Sequence, residues 1–259
     1  MVRILKILNK IYKFQIHNKF IDNYIVAMFS NFEINLSQNI PDHNITIQEN
    51  YDILINGVYI KINTIDDCID KINYIIKKQL IEENEDYLII HGGIVKISNK
   101  YFVVIGKTKS GKSSFCALIN ELYGKSYCDD IILINKTNNS FSNFEKAFSI
   151  RRGTIESYSF IKYDYIIKTE TEYRYIINNS NGSISIRPSA IILLNYNNLN
   201  NNSLVKLNKY QSMKILIGNS LSSKFPEECY SNFFNIINEY DFYHLNYTDI
   251  SKAMSLLIK

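Results

Sequence analysis

The sequence predicts a mixed α/β protein with a strand-rich core, and three observations carry that expectation. An apolar β-like run, a loop rich in Gly, Lys and Ser, and a helix-like run follow one another in YFVVIGKTKSGKSSFCALI, residues 101–119. Short segments of alternating apolar and polar residues, bounded by Asn and Gly, recur before and after it. With 46% apolar residues in 259, the chain has material for one substantial core, or for a main domain with a smaller companion.

Residues 1–62 read as short strands and turns: KFQIHN, NITIQE, YDILIN and VYIKIN, with Pro41 in a turn beside Asp42. They form an expected N-terminal β-rich subdomain, with residues 63–259 as the main domain or as part of one compact unit with it. In TIDDCIDKINYIIKKQLIEEN, Ile65, Ile69, Ile72, Ile76 and Leu80 recur at helical spacing. Thr64 is the expected N-cap, with Asp66 and Asp67 at the positive helix end. DYLIIHGGIVKI reads as a strand, a break at His91-Gly92-Gly93 and a second strand. KSSFCALINELYG reads as a helix ending at Gly124, and SYCDDIILIN as a strand that opens on two aspartates. Residues 135–190 alternate in the manner of antiparallel sheet with one wet face. A loop at 195–203, a helix at YSNFFNIINEY, a strand at FYHLNY and a helix begun near Thr248 complete the chain.

Bulk chemistry excludes several classes. The net charge of +4 carries no polybasic block or arginine cluster, so no nucleic-acid partner is expected, and the 20 Tyr and 14 Phe read as core and sheet residues. Cys68, Cys116, Cys128 and Cys229 form no Cys-x-x-Cys pair, which argues against structural zinc and fits a reducing cytoplasm. No uncharged apolar stretch approaches eighteen residues, so no stable membrane insertion is expected. MVRILKILNKIYKF reads as a strand or short helix packed on the domain, with a basic amphipathic anchor as the competing role.

GKTKSGKS fits G-x-x-x-x-G-K-[ST] in the required strand–loop–helix context. Gly106 and Gly111 let the backbone curl and turn its N–H groups inward. Lys107, Thr108, Lys109 and Ser110 complete the loop, and the helix opening at Lys112, Ser113 and Ser114 offers unpaired N–H groups to phosphate. Lys112 is placed to reach between β- and γ-phosphates, and Ser113 to join a Mg²⁺ shell. ATP and Mg²⁺ are the implied cofactors. One strand later, Asp129 and Asp130 are neighbours that must face opposite sides, one towards the loop and metal, the other towards an incoming hydroxyl. An Asn-Lys-x-Asp guanine-reading motif is missing, since Asn135 and Lys136 lead into Thr137 and Asn138. A Leu-Ser-Gly-Gly signature is missing too. A GTPase switch and a transporter ATPase are therefore disfavoured.

HGGIV, VVIGKTKSGKSSF and GKSYCDDIILI together resemble the HPr kinase/phosphorylase superfamily, and most closely its short stand-alone members of the lasso-peptide-kinase type. FEKAFSIRRG, RPSAIILLN and the segment from LSSKFPEECY to LNYTD extend the resemblance over about residues 87–257. It implies a P-loop fold akin to phosphoenolpyruvate carboxykinase and transfer of a phosphoryl group from ATP to a serine hydroxyl of a peptide or protein. By position it implies His91 supporting Asp129 as the acid/base group, Asp130 with Ser113 near the metal, and Lys112 on the phosphates. Arg151 and Arg152 are candidates for charge on the transferred group or for an acidic acceptor, with ordinary surface charge as the competing role. The family's Glu before Arg-Gly is replaced here by Ile150 and Arg151, with Glu145 and Glu156 nearby, so the second metal carboxylate is unassigned. Homo-oligomers are common in that family. The competing functions are a small-molecule hydroxyl kinase of the same fold and a nucleotide-binding regulatory or assembly protein.

Overall fold

The computed structural model describes residues 1–258 except 36–39, 108–109, 170, 179–180, 197–201 and 222–226. Thr108, Lys109 and most of the expected loop at 195–203 thus lie outside the described residues. The chain divides into two units: Met1–Glu83 with Glu145–Tyr158 and Tyr163–Asn178, and Asn84–Phe144 with Ser159–Lys162 and Asn179–Lys259.

The first unit opens with the hairpin β1 (Val2–Ile7) and β2 (Lys10–Ile16), followed by α1 (Lys19–Phe29). β3 (His43–Ile47), β4 (Ile53–Ile55) and β5 (Val58–Ile60) complete a sheet in the order β1-β2-β3-β4-β5. The N-terminal segment, expected as a strand or short helix, is therefore a strand hairpin. α1 departs from the all-strand expectation. Asn18 caps it, accepting from the N–H groups of Phe20 and Ile21, and Ile21, Tyr24, Ile25 and Met28 form its buried stripe. α2 (Ile65–Glu82) runs as its apolar spacing predicts. Thr64 Oγ1 accepts from Asp67 N–H at 3.1 Å, and Cys68, Ile69, Ile72 and Ile76 are buried.

In the second unit, β6 (Tyr87–Ile97) and β7 (Lys100–Ile105) form a hairpin, and α3 (Lys112–Leu122), β8 (Gly124–Cys128), β9 (Ile131–Asn135) and β10 (Phe141–Asn143) follow. The chain then supplies the first unit with β11 (Phe148–Arg151), α4 (Arg152–Ser157), β12 (Tyr165–Lys168) and β13 (Tyr173–Ile177), an antiparallel sheet ordered β11-β13-β12. The second unit resumes with β14 (Ser185–Ile186), β15 (Ala190–Tyr196), β16 (Ser203–Lys206), α5 (Lys209–Asn219), α6 (Glu227–Glu239), β17 (Phe242–Tyr247) and α7 (Ile250–Leu257). Its nine-stranded sheet runs β14-β10-β9-β6-β7-β15-β17-β16, with β8 also on β6. β7, β15 and β17 are mutually parallel and the other pairs antiparallel, so the sheet is mixed.

Two strand expectations change in ways that shape the site. β6 is one strand of eleven residues, with no break at His91-Gly92-Gly93. Along it residues 87–91 pair with β9, residues 92–97 with β7, and residues 94–97 also with β8. The segment SYCDDIILIN is two strands, β8 and β9, both antiparallel to β6, and the two aspartates form the bend between them. The core of this unit gathers Ile90, Ile94, Val103, Ile105, Ile132, Phe141, Ile191, Leu216, Phe233 and Phe242 around the sheet.

Candidate phosphate-loop site

β7 delivers the chain to the loop in an apolar environment, with Val103, Val104 and Ile105 fully buried. The loop then turns on two glycines. Gly106 has no room for a side chain: a Cβ there would stand 2.6 Å from Ser110 Oγ and 2.9 Å from Leu194 O. Gly111 is left-handed at φ 86°, a conformation that costs an L-residue about 1–2 kcal/mol. Gly111 is also the N-cap of α3 and brings no side-chain oxygen to it. At the start of an eleven-residue helix the dipole favours an anion.

Lys112 opens α3 and is buried at 6% exposure. Its Nζ donates to Gly106 O at 2.7 Å and to Lys107 O at 3.4 Å, so the ammonium lies over the loop. A buried ammonium, a cradle that a Cβ would fill, and a helix start on a glycine fit a polyphosphate chain. Ser110, Ser113 and Ser114 are partly buried at the same place, and Lys107 is exposed.

The acidic pair approaches from the other side of β6. Gly92 pairs with Ile105, the residue before Gly106, and its N–H donates to Asp130 O at 3.2 Å. One residue of β6 thus lies between the end of the loop strand and the aspartate bend. With strands about 4.8 Å apart, those two segments run roughly 10 Å from each other. Gly93 must also stay bare, since a Cβ would meet Cys128 O at 2.6 Å and Cys116 Sγ at 2.7 Å.

His91 stands beside Asp130, where position alone implied that it supports Asp129. Its Nδ1 is 2.8 Å from Asp130 O and 3.1 Å from Asp130 Oδ1. Two oxygen acceptors at one ring nitrogen assign the proton to Nδ1. The cause is the register: His91 is opposite Ile131, so Asp130 arrives beside it at the end of β9. Both side chains stay partly open, at 30% for His91 and 21% for Asp130. Asp129 is only 6% exposed. Burial pushes the Cys116 thiol up, Asp129 pushes it further and Lys112 opposes, so both charges are felt at this one sulfur, a turn into α3. The Cys128 thiol is likewise pushed up, first by burial, then by Cys116 and Asp129.

Arg151 and Arg152 belong to the first unit, at the junction of β11 and α4. Arg152 Nε holds Glu156 Oε1 at 2.6 Å, and its guanidinium lies 5.4 Å from the Tyr173 ring centre. Arg151 is exposed opposite Arg174 in the register. Among the described residues, no three His, Cys, Asp or Glu side chains gather into a metal cluster. Mg²⁺ bound mainly by phosphates, water and one or two protein oxygens needs no such cluster. Sequence reasoning missed Tyr196 and Tyr247, which crowd Gly111: a Cβ there would meet Tyr247 Oη at 2.9 Å and Tyr196 Cβ at 3.2 Å. Tyrosines at strand ends carry no motif to mark them.

No family model matches the sequence, and no curated protein matches it. Among solved structures, the HPr(Ser) kinase/phosphatase from Coxiella burnetii is distantly similar. It is 14% identical, over 64% of this chain and 89% of that one, with a TM-score of 0.30. The likeness is loose, and no residue role is taken from it. No helix among the described residues is long and apolar enough to cross a membrane.

Proposed function

We propose that the chain is an ATP- and Mg²⁺-dependent kinase that transfers the γ-phosphoryl group to a serine hydroxyl of a peptide or protein. The observation that carries this reading is the register at Gly92, with the loop strand on one side and the His91–Asp130 pair on the other. A phosphoryl donor held at residues 106–114 would lie within one substrate's reach of a carboxylate that can take a proton.

In this reading Gly106, Lys107, Ser110 and Gly111 would wrap the phosphates with backbone N–H groups, and Lys112 would set its ammonium on the β- and γ-oxygens. Ser113 and the buried Asp129 are the residues that would hold Mg²⁺. A Mg²⁺ held there would supply neutralising charge to the transferred phosphoryl group. Asp130 accepts the proton of the attacking hydroxyl, and the Nδ1–H of His91 fixes its carboxylate by hydrogen bonding. This reverses the two aspartate roles expected from position. It follows from exposure: a base must meet the acceptor, and Asp130 is open where Asp129 is not.

The test uses γ-labelled ATP, Mg²⁺ and serine-containing peptides encoded by genes beside this one. Label on a peptide serine that disappears in Asp130→Asn supports the reading. Tight nucleotide binding without transfer to any acceptor would instead mark a nucleotide-binding regulatory protein. Transfer to a small hydroxyl compound alone would move the acceptor class.

A further inference from the structure

The parallel part of the large sheet places the carboxyl ends of β7, β15 and β17 side by side. Ligands of open α/β sheets gather outside such ends. The first end runs into the phosphate loop, the second finishes at Tyr196 and the third at Tyr247. Tyr196 is tied to the loop by its backbone, its N–H donating to Ser110 O at 3.3 Å. Its ring meets that of Tyr247 edge-on at 5.5 Å, and Tyr247 meets Phe115 of α3 in the same way at 5.7 Å. Tyr247 is 4% exposed, whereas Tyr196 is 45% exposed. An isolated exposed aromatic is ordinary on a protein surface. This one is fastened to the phosphate loop and backed by a buried aromatic wall, and still leaves much of its ring to solvent.

We propose that Tyr196 is the stacking shelf for the base of the bound nucleoside triphosphate, with Tyr247 as its back wall. The proposal deepens the donor-site reading and rests on it. A shelf of this kind reads the π-face that all bases share and leaves the hydrogen-bonding edge unread. The site therefore takes purine nucleoside triphosphates alike: ATP and GTP bind within a few-fold of each other, and both bind more tightly than inorganic tripolyphosphate.

Titration calorimetry on the full chain, with Mg²⁺ present, tests this using ATP, GTP and tripolyphosphate. Tyr196→Ala should weaken ATP and GTP by about tenfold and leave tripolyphosphate unchanged, and Tyr196→Phe should restore both nucleotides. Lys112→Ala should weaken all three ligands. Wild-type ATP affinity in Tyr196→Ala overturns the shelf. So does an equal loss for tripolyphosphate, which would make Tyr196 a prop for the loop. Tripolyphosphate binding as tightly as ATP to wild type, or GTP excluded where ATP binds, also overturns it while leaving the phosphate loop standing. If wild type binds none of the three, the donor-site reading fails and the shelf falls with it.

Discussion

At the scale of single residues, the pairing of His91 with Asp130 has kinetic consequences. A positioned general base contributes about 10²–10⁴-fold to rate. Asp130→Asn should lower kcat for serine phosphorylation into that range with ATP affinity little changed, as measured by steady-state kinetics beside calorimetry. His91→Ala should act through the same group, so His91→Ala/Asp130→Asn should be hardly slower than Asp130→Asn alone. Equal losses that multiply would show the two to be independent. Asp129→Asn should instead raise the Mg²⁺ concentration needed for nucleotide binding. The phosphate loop was legible in the sequence because its chemistry requires glycine, lysine and serine at fixed spacing. The partner of His91 was not. Strand alternation was expected to turn the two neighbouring aspartates apart, but they form the bend between β8 and β9, and which one stands beside His91 is set by cross-strand register, a long-range property.

At the scale of elements, the caps and the loop glycines are the sensitive points. Asn18→Ala removes the acceptor for two N–H groups of α1 and should cost about 1 kcal/mol in denaturant unfolding, with Asn18→Ser nearly neutral. Gly111→Ala forces an L-residue into the left-handed region against the Tyr247 hydroxyl. It should destabilise by about 2 kcal/mol or more and abolish triphosphate binding, read by thermal unfolding and calorimetry. α2 was legible because its apolar residues recur over eighteen residues behind a Thr cap. α1 was hidden by its eleven-residue length and by Phe, Tyr, Ile and Val, which suit strands equally well. α5 gave no apolar stripe to read, as only Ser212 and Leu216 in it are buried.

For the whole molecule, all four thiols are buried and none is in a disulfide. Burial lifts the Cys68 thiol to about 12, and Cys116 and Cys128 are also pushed up. A thiol reagent at pH 8 should find almost none in the native protein and all four in denaturant. Acid should destabilise the fold. The backbone N–H of Ile11 holds Asp42 below the usual carboxylate range, and the Ser251 hydroxyl with the Lys252 N–H does the same for Asp249. Groups depressed on folding stabilise above their unfolded pKa, about 3.9 for Asp, and lose that contribution as pH falls through the folded value. Burial also lowers His244, so some stability should be lost already as pH drops below about 6.5. His244→Gln should remove that upper step in unfolding titrations and leave the acid step. The mixed α/β class was legible from composition and alternation. The return of residues 145–158 and 163–178 to the first unit was not, because no linker or change of composition announces it.

β6 has a consequence for how much sequence change this chain can absorb. The strand is a ruler graduated in single residues, with the aspartate bend measured off on one edge and the phosphate loop on the other. Side chains alternate with a period of two, so inserting or deleting one residue between Tyr87 and Gly92 would turn His91 to the opposite face of the sheet. The same change would leave the loop and the aspartates chemically intact but out of step. Surface loops tolerate changes of length; in this strand the spacing itself should be heritable, and a library of single-residue insertions should show near-total loss of transfer across 87–92 and tolerance in the turn at 98–99.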